Sequence, residues 1–302
     1  MFKSKNSMSR ALVRRETTAG YLFLLPSLFF FVTFVLYPMF LCIYTSFFDS
    51  NMGKNAVDVF VGLGNYKELF QDKLFLGALK NTVVIVVVAV PTVCAFSLWV
   101  ATAIYDMKPA LTSAFRCIFY LPVVTGSVAV TVVWKWMYNS RFGVFNYLFK
   151  SLGIIDQNIN WLGDARFALW CIILILFTTS VGQPIVLYVS ALGNVDHSLV
   201  EAAQVDGANR RQVFWKIKWA QIMPTTLYIL IITTINSFQC FALIQLLTSG
   251  GPTHSTDTIM YYIYYTAFKL YRYGYGNAMG VVLMVIIAVL SAVQFKLGQR
   301  SD

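Results

Sequence analysis

The sequence predicts an all-α membrane protein with six transmembrane helices and both termini in the cytoplasm. Three observations carry this prediction. First, only 12% of the 302 residues are charged while 58% are hydrophobic. Soluble domains carry about a quarter charged residues, so the surplus apolar surface here needs membrane lipid or a partner to cover it. Second, six windows run for 18 residues or more without Asp, Glu, Lys or Arg: Tyr21–Phe48, Asn81–Tyr105, Cys117–Trp134, Phe167–Val195, Trp219–Thr253 and Tyr273–Phe295. About 20 apolar residues in a helix cross a bilayer core, and a helix satisfies its own backbone polar groups there. Third, the formal charge of +10 is unevenly spread. With an inside N-terminus, segments 1–20, 106–116, 196–218 and 296–302 carry 13 Lys/Arg in 61 residues. The outside segments 49–80, 135–166 and 254–272 carry 10 in 83. That bias follows the positive-inside rule. It also accounts for the positive charge without nucleic acid, for which the chain has no soluble domain.

The elements follow in order. Residues 1–20 form a cytoplasmic segment whose Arg10, Arg14 and Arg15 orient the first span. That span holds Pro26 and Pro38 and is too long for a signal-peptide core. The outside segment 49–80 has turn signals at Gly53, Gly62 and Gly64. The second span is Val-rich and contains Pro91. The third holds Pro122 and Gly126 and ends in Trp134-Lys135-Trp136-Met137-Tyr138, an interfacial composition. Phe142, Phe145, Leu148, Phe149 and Leu152 predict a short amphipathic helix on the outer surface. The fourth span carries Gly182 and Pro184. The fifth window exceeds one span, and its core is taken as Met223–Leu247. Gly250-Gly251-Pro252 marks a sharp turn. Tyr261–Tyr275, with seven tyrosines, Lys269 and Arg272, predicts an interfacial segment. The sixth span uses Ala278 and Gly280 for close packing. The transmembrane domain thus covers 21–295, with a cytoplasmic loop at 196–218 and a cytoplasmic tail at 296–302.

The loop is the most informative polar segment: SLVEAAQVDGANRRQVFWKIKWAQIMP from Ser198 to Pro224. Ser198 and Glu201 have capping-box spacing. The helix they open runs to about Asp206, where Gly207 can turn left-handed and end it. A second helix presents Val213, Phe214 and Ile217 on one face. The result is an elbow exposing Ala202 and Ala203, small enough for close approach by a partner. Helix five adds the densest set of polar side chains within a span. Thr233, Asn236, Ser237 and Cys240 recur at three- and four-residue spacing, with Gln239 beside them. Such residues face a bundle interior or a watery path. Two readings stay open: interhelical hydrogen bonding, or a row of hydroxyls and amides that binds a neutral polyol. Thr178, Thr179, Ser180, Gly182 and Gln183 of helix four form a second candidate wall, with Gln183 the best donor–acceptor. Aromatic rings of helix one or three are available to stack on a sugar ring.

Several classes of chemistry lack their residues. No GxxxxGK[ST] run is present, so ATP and Mg belong to another subunit if they are used at all. The only histidines, His197 and His254, fall on opposite predicted sides. The five cysteines (Cys42, Cys94, Cys117, Cys171, Cys240) are apolar packing residues without a CxxC pair. No metal site, cofactor site, nucleophile–base pair or other catalytic residue is expected. No Asp or Glu lies in a span core, which argues against the alternative of an ion-coupled secondary solute carrier.

Glu201-Ala202-Ala203, Asp206-Gly207-Ala208, Phe214 and Ile217 resemble the EAA loop of permease subunits in ATP-binding-cassette importers. GYLFLLPSLFFFVTFVLYPMF (20–40), FVGLGNYKELF (60–70), FRCIFYLP (115–122), NWLGD (160–164) and LIQLLTSGGP (243–252) extend the likeness over about 20–300. The resemblance is to the first permease of sugar importers, of maltose, lactose, raffinose or glycerol-phosphate type. It implies a type I importer (MetI-like) bundle in a bacterial inner membrane. It also implies a second homologous permease, two cytoplasmic ATPases, an extracellular solute-binding protein and a sugar substrate. Glu201, Ala202, Ala203, Asp206 and Gly207 would couple to the ATPase. Gln183, Thr233, Asn236, Ser237, Gln239 and Cys240 would line the substrate path. In place of the leucine and proline that usually follow the family's isoleucine, this chain has Trp219 and Ala220.

Overall fold

The computed structural model describes residues 3–50 and 58–298. Helix α1 (Lys3–Phe31) passes through a π-helical turn (Val32–Leu36) into α2 (Tyr37–Thr45). Residues 3–20 are therefore helical and continuous with the first span. The apolar window within Val13–Thr45 is wholly unburied by the rest of the chain. Strands β1 (Phe48–Asp49) and β2 (Val59–Phe60) pair antiparallel, with Phe48 opposite Phe60. Gly53 lies outside the described residues, as do positions 299–302 of the tail. Gly62, at φ +55°, turns the chain into α3 (Gly64–Leu69).

Helix α4 (Lys73–Tyr105) is capped by Asp72, whose side chain accepts from the Leu74 N–H, and it runs unbroken through Pro91. The third window is different. Helices α5 (Pro109–Val124) and α6 (Ser127–Met137) meet at 95° across Thr125-Gly126. Pro122 and Gly126, read from sequence as features of one span, sit at this corner. Among the described residues five helical stretches are long and apolar enough to cross a membrane, and this bent pair makes up to six. The amphipathic helix α7 (Val144–Ser151) follows, held by buried Asn146. Its side chain donates to the Ser140 and Ile159 carbonyls and accepts from the Trp161 indole N–H.

Helices α8 (Ala168–Ser180) and α9 (Gly182–Gly193) make the fourth span. After the elbow helices α10 (His197–Val205) and α11 (Arg210–Val213), a second π turn (Phe214–Lys218) leads directly into α12 (Trp219–Phe238). The fifth span, expected as one helix over Met223–Leu247, breaks at Gln239 and resumes as α13 (Ala242–Leu247). The Thr258 hydroxyl donates to the Cys240 carbonyl at 2.7 Å, giving the interrupted backbone a partner outside the helix, as hydrocarbon demands. The cis peptide Gly251-Pro252 and Gly250, at φ +82°, form the predicted turn. Helix α14 (Ile259–Tyr264), a third π turn (Tyr265–Lys269) and α15 (Tyr273–Gly298) complete the chain.

The central packing sets α4 against α9 and α12. Val93, Val100, Ala101 and Ile104 meet Ile185, Tyr188, Val189, Leu192, Ile222 and Ile229, all buried. Lipid is as apolar as these side chains, so close packing rather than water exclusion holds such helices together. Gly182 shows the consequence: a Cβ there would strike the Phe119 carbonyl of α5. At the outer end the tyrosine-rich segment is more deeply placed than an interfacial reading predicts. Tyr261, Tyr262 and Tyr275 are buried within the chain. The Tyr262 and Tyr275 hydroxyls donate to Asp72 at 2.7 and 2.9 Å, which lets their rings leave the solvent. Arg272 adds a bidentate pair with Glu68, both contacts 2.8 Å.

Candidate functional site

The elbow is built by three successive caps. Asp196, extended at φ −65° and ψ 110°, is the N-cap of α10. Its carboxylate accepts from the Ser198 backbone N–H at 2.9 Å and from the Ser198 hydroxyl at 2.7 Å. These two bonds hold Asp196 below the usual carboxylate range. The Ser198–Glu201 capping box read from sequence is therefore replaced. The carboxylate two residues earlier takes the capping role and ties up the serine. Freed from capping, the Glu201 carboxylate is exposed and makes no hydrogen bond or ion pair among the described residues.

The C-terminus of α10 is a Schellman motif. The Ala208 N–H donates to the Ala203 carbonyl at 2.9 Å, and the Gly207 N–H to Gln204 at 3.0 Å. Gly207 sits at φ +83°, as its expected role requires. Asn209 and Gln212 then form a reciprocal capping box that opens α11, each backbone N–H bonded to the other's side chain at 2.8 and 2.9 Å. Its sequence signal is N-x-x-Q, Asn209 to Gln212, which the Ser198–Glu201 spacing does not include. The elbow is fastened to the bundle by buried Val195 and Val213 and by Gln221 of α12, which accepts from the Asp196 N–H at 2.9 Å. Ala202, Asp206 and Gly207 are exposed and Ala203 is half-exposed. With Leu199 at 51% and Val205 at 87% exposure, the two alanines form an apolar face that no described residue covers.

The second expected site lies at the other end of α12. A cavity of about 170 Å³ is lined by Gln183 at the start of α9, by Thr179 and Ser180 of α8, and by Tyr228, Thr233 and Asn236 of α12. The side-chain amides of Gln183 and Asn236 are exposed and have no hydrogen-bond partner among the described residues. A neighbouring cavity of about 340 Å³ holds Gln239 and Cys240, with Thr125, Ser127 and Thr179. The structure thus brings Gln183, Thr233 and Asn236 together and sets Gln239 and Cys240 in an adjoining chamber. Ser237 is 2% exposed and lines neither. The helical face projected through Cys240 does not survive because α12 ends at Phe238. The aromatic ring in the first chamber is Tyr228, not a ring of the first or third span. Its signal was the same stripe followed backwards, since Tyr228, Ile232 and Asn236 are four residues apart. Interrupted backbone surrounds both chambers: the α5–α6 corner, the α8–α9 junction and the α12–α13 break. Non-helical backbone at membrane depth is tolerated where it lines a cavity.

Comparison with known proteins matches residues 61–302 to the family described as "Binding-protein-dependent transport system inner membrane component". Among curated relatives, the probable ABC transporter permease protein YesP of Bacillus subtilis is 33% identical over 288 residues, covering 94% of this chain and 91% of YesP. The lactose transport system permease protein LacF of Rhizobium radiobacter is 32% identical, covering 94% of this chain and 95% of LacF. The multiple sugar-binding transport system permease protein MsmF of Streptococcus mutans is 31% identical, covering 94% and 96%. A chain from the crystal structure of a bacterial alginate ABC transporter, in complex with an alginate pentasaccharide-bound periplasmic protein, superposes with a TM-score of 0.82. It is 24% identical and the match covers 95% of this chain and 96% of that one. The fold is shared over nearly the whole chain, and the family match covers residues 61–302, so the protein belongs to the family of inner-membrane components of binding-protein-dependent transport systems.

Proposed function

We propose that the chain is the permease subunit of an ATP-driven sugar importer, that it forms half of the solute path, and that it receives force at the elbow. The family is one of multi-pass bacterial inner-membrane permeases rather than enzymes, and ATP with its Mg is handled by partner ATPases. The proposed partners are a second permease, two cytoplasmic ATPases and a solute-binding protein outside the cell. The sugar class rests on relatives such as LacF and MsmF.

One observation carries the coupling mechanism. From Arg210 to Phe238 the backbone is helical without interruption, through the π turn at Phe214–Lys218. At about 1.5 Å per residue this lever is roughly 40 Å long. Its first turn is the elbow's second arm, tied again to the first arm where Gln221 accepts from the Asp196 N–H, and its far end carries Thr233 and Asn236 into the cavity. Displacement of the elbow by a closing ATPase moves one wall of the cavity against Gln183. The roles of Glu201, Ala202, Ala203, Asp206 and Gly207 at the ATPase, and of the cavity amides toward solute, belong to this proposal, as does the division into a domain at 21–295 with cytoplasmic ends.

The test is Glu201→Lys in the assembled transporter. Glu201 makes no internal contact, so insertion and thermal stability stay as in the parent. Sugar uptake into vesicles falls at least tenfold, and ATP hydrolysis no longer responds to the solute-binding protein. Undiminished uptake, or flux from this chain alone driven by an ion gradient, overturns the proposal.

A further inference from the structure

A third cavity, of about 550 Å³, lies beneath the elbow against the first turns of the lever, apart from the solute chambers. It is enclosed by the end of α4, the last turn of α9 and both arms of the elbow. Its floor is apolar, with Leu192, Val195 and Val213 buried. Its rim is polar and carries Arg210, Lys218, His197 and one carboxylate, Asp106. The formal charge of this lining is +1 with histidine neutral, and neither cation is in an ion pair among the described residues. The Lys218 ammonium stands 5.4 Å from the centre of the Tyr105 ring, a contact that holds a cation in place without neutralising it. Beside the rim, the Trp215 and Trp219 rings lie 5.5 Å apart and Trp215 is 53% exposed. Paired indoles at the start of a span are the composition of the membrane–water boundary.

An apolar floor under a rim of net positive charge whose two cations are outside any ion pair, at the cytoplasmic boundary of the bilayer, matches one ligand chemistry. We propose that this cavity binds an anionic phospholipid of the cytoplasmic leaflet, its phosphate held by Arg210 and Lys218 and its first acyl carbons over Leu192, Val195 and Val213. Basic pockets between spans on this side of a membrane recognise lipid headgroups in the same way. A soluble phosphate would use the cations but leave the floor wet. The bound lipid fills the space between the elbow and the span ends, stiffening the joint through which the elbow moves the bundle. The inference rests on the cytoplasmic placement of the elbow but not on the identity of the solute or on ATPase docking.

The test is lipid retention by the assembled transporter, read by native mass spectrometry after titration with phosphatidylglycerol or phosphatidylcholine. The expected result is a retained phosphatidylglycerol and no retained phosphatidylcholine. Arg210→Gln with Lys218→Gln weakens phosphatidylglycerol binding roughly thirty-fold, while Arg210→Lys with Lys218→Arg preserves it. Thr102→Trp fills the mouth with both cations intact and weakens binding as well. Lys150→Gln, on the outer side, changes nothing. Equal retention of both lipids, an unaltered affinity in the double glutamine variant or in Thr102→Trp, or displacement of the lipid by millimolar inorganic phosphate each overturns the proposal. Whether the ATPase still co-purifies with each variant is read in parallel, so a failure of the coupling mechanism is distinguished from a failure at this cavity.

Discussion

Gly207 offers a substitution series in which conformation and space separate. The residue sits at φ +83°, and a Cβ built there meets nothing within 4 Å. Replacing it therefore costs backbone strain alone. An L-residue in the left-handed region costs about 1–2 kcal/mol, with asparagine and aspartate the tolerated exceptions, and a β-branched residue costs more. A cost of about 1–2 kcal/mol lowers the population of the bent elbow relative to competing conformations by roughly 5- to 30-fold. The predicted order of function is Gly207, then Asn, then Ala, then Val. Two measurements read it: sugar uptake per ATP hydrolysed in vesicles, and amide exchange at Gly207 and Ala208, whose N–H groups close the Schellman motif. Gly207→Asn keeps nearly full coupling and protection, Gly207→Ala loses several-fold of each, and Gly207→Val loses most. If alanine is neutral, the positive φ is not what the elbow requires. If asparagine is as damaging as valine, the open space around Gly207 is occupied in the working assembly and the argument from strain fails.

Three further predictions concern other parts of the molecule. Asp196 is held below its ordinary range by Ser198, so its contribution is present above the unfolded carboxylate value near about 3.9 and is lost as pH falls through the depressed folded value; exchange protection in α10 should be flat from neutral pH down to about 5 and collapse below about 4, and Asp196→Asn should flatten that loss. Gly182→Val forces α9 away from the Phe119 carbonyl of α5; such overpacking costs typically about 1–3 kcal/mol and should lower the melting temperature in detergent, and an unchanged melting curve would show that the two helices are not this close. Asn236→Ala and Gln183→Ala should raise the apparent KM for sugar uptake with stability unchanged, whereas Ser237→Ala, buried away from both chambers, should alter melting and not KM.

The spans were legible because lipid permits few solutions. Charge-free windows are a strong signal, and they located the helices. Local chemistry within a window was less legible. Nothing in Cys117–Trp134 distinguishes a straight helix from two meeting at 95°, since Pro122 and Gly126 are tolerated in either. The fifth span breaks for a reason located elsewhere: the hydroxyl of Thr258, 18 residues on, serves the Cys240 carbonyl. In the elbow the stop signal at Gly207 was read correctly because glycine is the residue that end demands. The start was misplaced because Asp196 and Ser198 both have capping side chains, and only the backbone conformation of Asp196 decides between them.

The same limit explains why the elbow was more legible in the sequence than the chambers. Docking is a property of an exposed surface, and an exposed glutamate, two alanines and a glycine stop are contiguous in sequence. A solute path is made by breaks, and a break becomes a site only when several fall at one depth. Here three do. The α5–α6 corner contributes Thr125 and Ser127, the end of α8 contributes Thr179 and Ser180, and the α12–α13 break contributes Gln239 and Cys240. Interrupted backbone is costly in hydrocarbon unless it is buried or faces a cavity, so three interruptions around two adjoining chambers have a physical reason to be there. The uninterrupted helix from Arg210 to Phe238 then has a physical reason to be whole. On the proposed coupling, it joins the elbow that would receive force to the chambers where the described backbone is open to polar contact.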